Sequence, residues 1–335
     1  GIGNSSDGPT PTLPKETLAG DITIDTTLTA DKAWFIDGLV AVKSGVTLKI
    51  EAGTTIIGKD GTGTNTSYMV VDKGAQIIAD GTALEPIIFT SELAYDGATG
   101  TVGQWGGLTI IGNAADPAQT APYEVNSAFE PGTGIATDNS GILRHVKILN
   151  SGITMEQDKE INGLSLVGVG SGTTIEDITV IRSDDDCIEI WGGTVDLTNV
   201  TVRECTDDQF DIDDGYSGTV RGLDIHQTAT NSGNAGIEMS GITAATFDGF
   251  SIVQDASAKE GGIFFKKAGI GGHFLNGTVI DNINNSVGTI HTTELNDVDT
   301  VNTSFTNVTL TGTSTDARFT GNDVANVEVV FDAGI

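Results

Sequence analysis

A six-residue pattern returns roughly every two dozen residues between positions 161 and 265, and it limits what this chain can fold into. It reads Ile161-Asn162-Gly163-Leu164-Ser165-Leu166, then Asp185-Asp186-Cys187-Ile188-Glu189-Ile190, then Asp207-Asp208-Gln209-Phe210-Asp211-Ile212. Two further copies follow, Asn234-Ala235-Gly236-Ile237-Glu238-Met239 and Glu260-Gly261-Gly262-Ile263-Phe264-Phe265. Successive starts are 24, 22, 27 and 26 residues apart. Each copy ends apolar–x–apolar, the period-two signature of a strand with one buried face. One such strand at a fixed phase of a period this long predicts an all-β coiled solenoid. Trp105-Gly106-Gly107-Leu108-Thr109-Ile110 is an earlier copy.

In chain order, residues 1–20 are rich in Gly, Ser, Thr and Pro and read as an extended tail, with the solenoid domain running from 21 to 335. Ile22-Thr23-Ile24, Trp34-Phe35-Ile36 and Leu39-Val40-Ala41-Val42 are expected to cap the core's first edge. Residues 45–57 and 74–91 read as strand–turn–strand coils with glycine at the corners. Residues 112–141 break the rhythm, hold three of the seven prolines, and are expected to leave the stack as a long loop. A second strand column then appears, in Val146-Lys147-Ile148, Ile178-Thr179-Val180, Val200-Thr201-Val202, Leu223-Asp224-Ile225, Phe250-Ser251-Ile252, Gly277-Thr278-Val279 and Val308-Thr309-Leu310. Val327-Glu328-Val329-Val330-Phe331 reads as a last strand and a candidate adhesive edge.

Sixteen Lys+Arg against 46 Asp+Glu give a formal charge of −30, which disfavours nucleic acid and anionic membranes as partners and favours divalent cations. The regular alternation and 38% hydrophobic content argue against disorder. No run of 18 apolar residues is present for a membrane helix. Gly1-Ile2-Gly3 lacks the basic start and apolar stretch of a signal peptide, and a start at Gly suits a mature, secreted chain.

Several stretches together resemble a large family of secreted or surface-anchored bacterial proteins built as right-handed parallel β-helices. They include Gly45-Val46-Thr47-Leu48, Gln104-Trp105-Gly106-Gly107, Glu160-Ile161-Asn162-Gly163-Leu164 and 167–175. The family's mark is a D-D-G-[FI]-E-[FI]-[FW]-G-G-T-V coil followed by D-D-x-F-D-[FWI]-D-x-G-[YW]. Asp185 to Val195 and Asp207 to Tyr216 match, with Cys187 in place of a glycine. The resemblance implies fold and location, and no activity. Asp185-Asp186-Cys187-Ile188 is also similar to the G-D-D-C-I element of polygalacturonases, which share the pectin-lyase-like β-helix. That likeness implies a Cys187–Cys205 disulfide, two buried free thiols being the alternative. Thr206-Asp207-Asp208 stands where those enzymes carry Gly-His-Gly, and Asn162 stands one coil below Asp186.

Stacking the hexads places Ser165, Glu189, Asp211, Glu238 and Phe264 in one outward column, about 4.8 Å apart. Carboxylates directly opposite one another across strands repel. Asp185, Asp186, Asp207, Asp208 and Asp213 crowd the same corner. Ca²⁺ bound by these eight carboxylates offsets the repulsion most simply. Lys266, Arg182 or Arg203 could also compensate, as could raised carboxyl pKa values, and Asp at coil corners also makes turns and satisfies backbone amides.

Two functions are compatible with this pattern. One is a non-catalytic extracellular or cell-surface scaffold that self-associates into an oligomer or filament, or that adheres to polysaccharide. The other is a polysaccharide hydrolase or lyase, with Asp186, Asp208, Glu189 and His226 as catalytic candidates, Lys266 or Arg221 as a lyase base, and Trp191 and Tyr216 as sugar platforms. Trp34 and Trp105 suit core or capping roles. The scaffold is the expected one.

Overall fold

The computed structural model of the protein describes residues 12–119, 123–228, 233–256, 259–267, 269–283, 287–292, 298–312, 319–320 and 328–330. Among the described residues twenty-four strands form one continuous sheet that coils as a right-handed parallel β-helix, and the hairpin Ile153–Glu156 with Lys159–Ile161 stands outside it. Among the described residues helix is confined to Glu92–Tyr95 and the 3-10 turn Gly63–Asn65.

The hexads form the first face as read from their period. Leu164–Val167, Ile188–Trp191, Phe210–Asp213, Ala235–Met239 and Gly261–Phe265 pair in parallel, in register, each with the next. The inward row Val42, Val71, Ile110, Leu166, Ile190, Ile212, Met239, Phe265 is buried throughout. Like on like stacking suits such rows, because each apolar side chain meets one of similar size directly above. Further along, Phe247, Phe274 and Phe305 continue the core as a pile of near-parallel rings, 5.3 and 4.9 Å between centroids. Trp34 and Trp105 have the structural roles their sequence positions implied, each indole N–H donating to a backbone carbonyl, of Thr29 and of Leu149.

The second strand column is present in register from Val146 through Val308. It is continuous with a third face. Long strands such as Gly141–Ser151, Thr174–Ser183 and Ala244–Gln254 cross from the third face to the second at a single left-handed residue. That residue is His145, Asp177, Asn199, Asn276 or Asn307 in five coils and Gly222 or Gly249 in two. Asn, Asp and His tolerate this conformation, and here the side chains also join the coils: Asn199 Nδ2 donates to Asp177 Oδ1 at 3.2 Å and Asn307 Nδ2 to Asn276 Oδ1 at 2.6 Å.

Two expectations change. The tail boundary moves, since Lys15–Ile22 is already a strand paired with Ala33–Val42; residues 1–11 lie outside the described ones. The last strand read from the sequence is present over Glu328–Val330, paired in parallel with Val298–Gly312; residues 327 and 331 lie outside the described ones. The segment 112–141 does not leave the stack. It folds back onto the outer side of the hexad face, where Tyr123, Val125 and Phe129 are buried against Tyr68, Val70, Ile111, Ile161 and Val167. Those outward positions are apolar in the early coils and need cover from water, which the segment provides. Tyr123 Oη and Thr109 Oγ1 lie 2.8 Å apart in a buried hydrogen bond beneath it.

Cys187 and Cys205 form a disulfide, Cα atoms 5.5 Å apart, which closes the coil that carries Glu189. A crosslink over 18 residues restricts the unfolded chain by about 3 kcal/mol. The double substitution Cys187→Ala/Cys205→Ala is therefore expected to destabilise this coil by about 3 kcal/mol. Amide exchange in Ile188–Trp191 and Phe210–Asp213 would report it as faster opening, while Tyr68–Val71 stays unchanged.

Candidate functional site

The outward column forms as the period predicts: Ser165 opposes Glu189, Glu189 opposes Asp211, Asp211 opposes Glu238, and Glu238 opposes Phe264. The neighbouring outward position runs Val167, Trp191, Asp213. Where these positions switch from apolar to acidic, the covering segment stops packing and becomes a wall. The result is a cavity of about 190 Å³ lined by Asp185, Asp186, Glu189, Trp191, Asp207, Asp211, Asp213 and Glu238, with Glu124 and Glu160 on the cover side and Ser240, Lys266 and Lys267 at the far end. In the outward column Asp211 and Glu238 are buried and Glu189 is half-buried, and the corner residue Asp186 beside them is buried too.

Beneath the cavity the coil corners form a ladder. Asn162 Oδ1 accepts the Asp186 N–H at 3.2 Å, Asp186 Oδ1 the Asp208 N–H at 2.9 Å, and Asp208 Oδ1 the Ala235 N–H at 3.0 Å. Amide satisfaction by corner aspartates is thus met for one oxygen of each. Asp186 also shares hydrogen bonds with Glu189 and Asp211, and Asn162 Nδ2 donates to Glu189 Oε2 at 3.2 Å. One oxygen from each of Asp186, Glu189 and Asp211 falls within 4.8 Å of the others, as does one from each of Asp185, Asp186 and Asp207. Asp211 Oδ1 is buried with no hydrogen-bond partner among the described residues.

Burial pushes every one of these carboxyls toward the neutral form, and their neighbours add to it. The Asp185 pKa rises to about 8, from burial first and then from Asp207 and Glu160. The Asp213 pKa rises to about 7, from burial and Asp214, with Lys267 pulling the other way. Asp186, Glu189 and Asp211 are raised well above the ordinary range by burial and by one another. Glu238 is raised by burial and partly restored by Lys266, whose Nζ lies 2.8 Å from its Oε1. Burial lowers the Lys266 pKa, but the bond to Glu238 and the surrounding carboxylates outweigh it and hold the ammonium above its ordinary value.

Other sequence-predicted residues lie elsewhere. Tyr216 is fully buried in the core and its phenol donates to the Val195 carbonyl at 2.7 Å, so it is no platform for a ligand. His226 belongs to the second face, in register with Arg203, where it pairs with Asp255. Asp208 is buried outside the cavity lining. Arg182 and Arg203 do not compensate the acidic corner; they pair with Glu204 at 3.1 Å and Asp224 at 3.0 Å. Arg221 pairs with Asp196 at 3.5 Å. Glu124, Glu160, Ser240 and Lys267 were not anticipated. Of these Glu160 and Ser240 adjoin hexads; Glu124 enters through the fold-back of its segment, which no local pattern encodes.

The family model described as a pectate-lyase like beta helix domain matches residues 20–333. The chain belongs to this β-helix family. No curated protein matches the sequence. Among solved structures, the chain is similar to the enzymatically active domain of tailspike protein 2 of bacteriophage CBA120, at 15% identity and a TM-score of 0.39, covering 90% of this chain and 42% of that one. The full-length tailspike matches at 13% and 0.37, covering 88% of this chain and 37% of that one. The catalytic domain of a GH87 alpha-1,3-glucanase in complex with tetrasaccharides matches at 11% and 0.33, covering 100% and 70%. The chain thus spans less than half the length of the tailspike chains.

Because the cavity carboxyls titrate at higher pH folded than unfolded, the folded, cation-free protein binds more protons, and stability falls as pH rises. The loss runs from the ordinary aspartate value of 3.8 up to about 8. In chelator, the melting temperature is expected to fall steadily between about pH 5 and pH 8, and the fall should shrink in Glu189→Gln/Asp211→Asn. A melting temperature that climbs over this range in chelator contradicts the assignment.

Proposed function

We propose that this β-helix is a secreted or surface-exposed, non-catalytic scaffold whose acidic cavity binds Ca²⁺. The observation that carries the reading is the buried cluster of Asp186, Glu189 and Asp211, with converging oxygens and an unpartnered Asp211 Oδ1. Without a cation these groups must hold protons against neutral pH; a hard divalent ion lets them ionise and supplies the missing partner. Ca²⁺ takes six to eight oxygens in irregular arrangements. Asp185, Asp207 and Asp213 on the same walls provide further carboxylates. Since the ligands come from successive coils, one ion ties coils that otherwise repel.

Several features favour a scaffold over hydrolysis. A volume of about 190 Å³ is below the roughly 300 Å³ at which pockets hold organic ligands. Asp208 and His226, the acid–base partners considered for Asp186, do not reach the cavity. Asp186 and Glu189 are hydrogen-bonded to each other, which leaves no room for the water that inverting hydrolysis places between acid and base. Among the described residues no helix is long and apolar enough to cross a membrane. The partner would be a second copy or an extracellular polysaccharide. Lys15–Ile22 supports the former, since among the described residues it pairs with Ala33–Val42 and with no strand on its other edge, and such an edge can accept a strand.

Calorimetry on the full chain is expected to show Ca²⁺ binding that Asp211→Asn weakens at least tenfold. Ca²⁺ at 100 times Kd should add about 2.7 kcal/mol of stability. Trp191, in the cavity wall, should change its fluorescence on binding. Unaltered melting and calorimetry with Ca²⁺ would sink the reading, and release of sugar from a polysaccharide panel would replace it with an enzyme.

A further inference from the structure

A second carboxylate cluster meets the cavity at Glu238, has its other two members outside the cavity lining, and shares no residue with the three that carry the reading above. One oxygen each from Asp208, Glu238 and Glu260 falls within 4.8 Å of the other two. They come from three consecutive coils, before Phe210–Asp213, within Ala235–Met239 and before Gly261–Phe265. Asp208 is fully buried. Its Oδ1 is held by the Ala235 N–H at 3.0 Å, while Oδ2 is buried with no hydrogen-bond partner among the described residues. A buried carboxylate oxygen left in this state is costly, and natural interiors supply such groups with a partner.

The local charge defines that partner. Lys266 neutralises one of the three carboxylates through its 2.8 Å contact with Glu238 Oε1. The flanking Asp207 and Lys259 cancel each other in sign. With Lys266 on Glu238 and Lys267 acting on it from further off, the three carboxylates still outnumber the nearby ammonium groups, an excess of negative charge that a cation balances. The donors are all carboxylate oxygens, and Glu260 is partly exposed, giving an entry path and room for water ligands. This is the donor set of a hard cation that keeps part of its hydration.

We infer that Asp208, Glu238 and Glu260 form a second, separate divalent-cation site of the Ca²⁺ type, joining three coils on the C-terminal side of the cavity. The ion would sit on Asp208 Oδ2, with Glu238 contributing while it keeps Lys266 and Glu260 closing the solvent side. The sequence marks Asp208 and Glu238 as candidate ligands but not Glu260, whose coil carries Phe264 in the outward column.

The test is Ca²⁺ stoichiometry by native mass spectrometry and calorimetry on the full chain, comparing the wild type with Glu260→Gln, Asp208→Asn and Asp211→Asn. Asp208→Asn keeps an oxygen for the Ala235 amide, and Glu260 is partly exposed, so both variants preserve the coil. Each is expected to bind one Ca²⁺ fewer than the wild type, while Asp211→Asn loses a different ion and keeps this one. If Glu260→Gln and Asp208→Asn both retain the wild-type count and affinity, the second site is overturned, whatever Asp211→Asn does. If those two variants lose an ion and Asp211→Asn loses none, the second site stands and the cavity reading fails.

Discussion

Everything in this molecule depends on parallel strands stacking in register, so that each side chain meets its counterpart from the coil before at about 4.8 Å. For Val, Ile, Leu and Phe the consequence is a core assembled from matched rows, as in the run from Val42 to Phe265. For Glu189, Asp211 and Glu238 the same geometry sets like charges over one another. The two outcomes have one cause. A chain that commits to this stacking cannot place acidic residues at a common phase without gathering them, and the carboxyl pKa values are raised first by burial and then by that gathering.

Much of this was legible because the period is itself a set of coordinates. Knowing the hexad phase was enough to place Ser165, Glu189, Asp211, Glu238 and Phe264 in one column, and the structure has them so. The second face was equally readable. The third was not, because the corner separating it from the second is one residue long and is filled by His145, Asp177, Asn199, Asn276 or Asn307. Only Gly222 and Gly249 mark the bend with glycine, and in the other five coils no Gly or Pro sets the third face apart from the second. Tyr216 misled for another reason: alternation tells inward from outward within a strand, but this tyrosine follows the strand, at a corner where the chain turns inward.

The cover was the largest departure. Its composition, with three prolines and little periodicity, describes a segment without regular structure and says nothing of where that segment rests. The clue lay on the surface beneath it. Val70, Ile111 and Val167 occupy outward positions and are apolar, a pattern that asks for something to lie over them. Reading the outward rows as closely as the inward ones would have placed the segment, and with it Glu124 at the rim of the cavity.

The disulfide has a mechanical consequence. A β-helix pulled by its ends gives up one coil after another, since each coil touches only its neighbours. Cys187 and Cys205 exclude residues 188–204 between them from that process. Tension passes through the sulfur bridge, and roughly 60 Å of contour stays slack inside a covalent ring. Glu189 and Trp191 belong to that ring, so the acidic coil is shielded from force while its neighbours unwind.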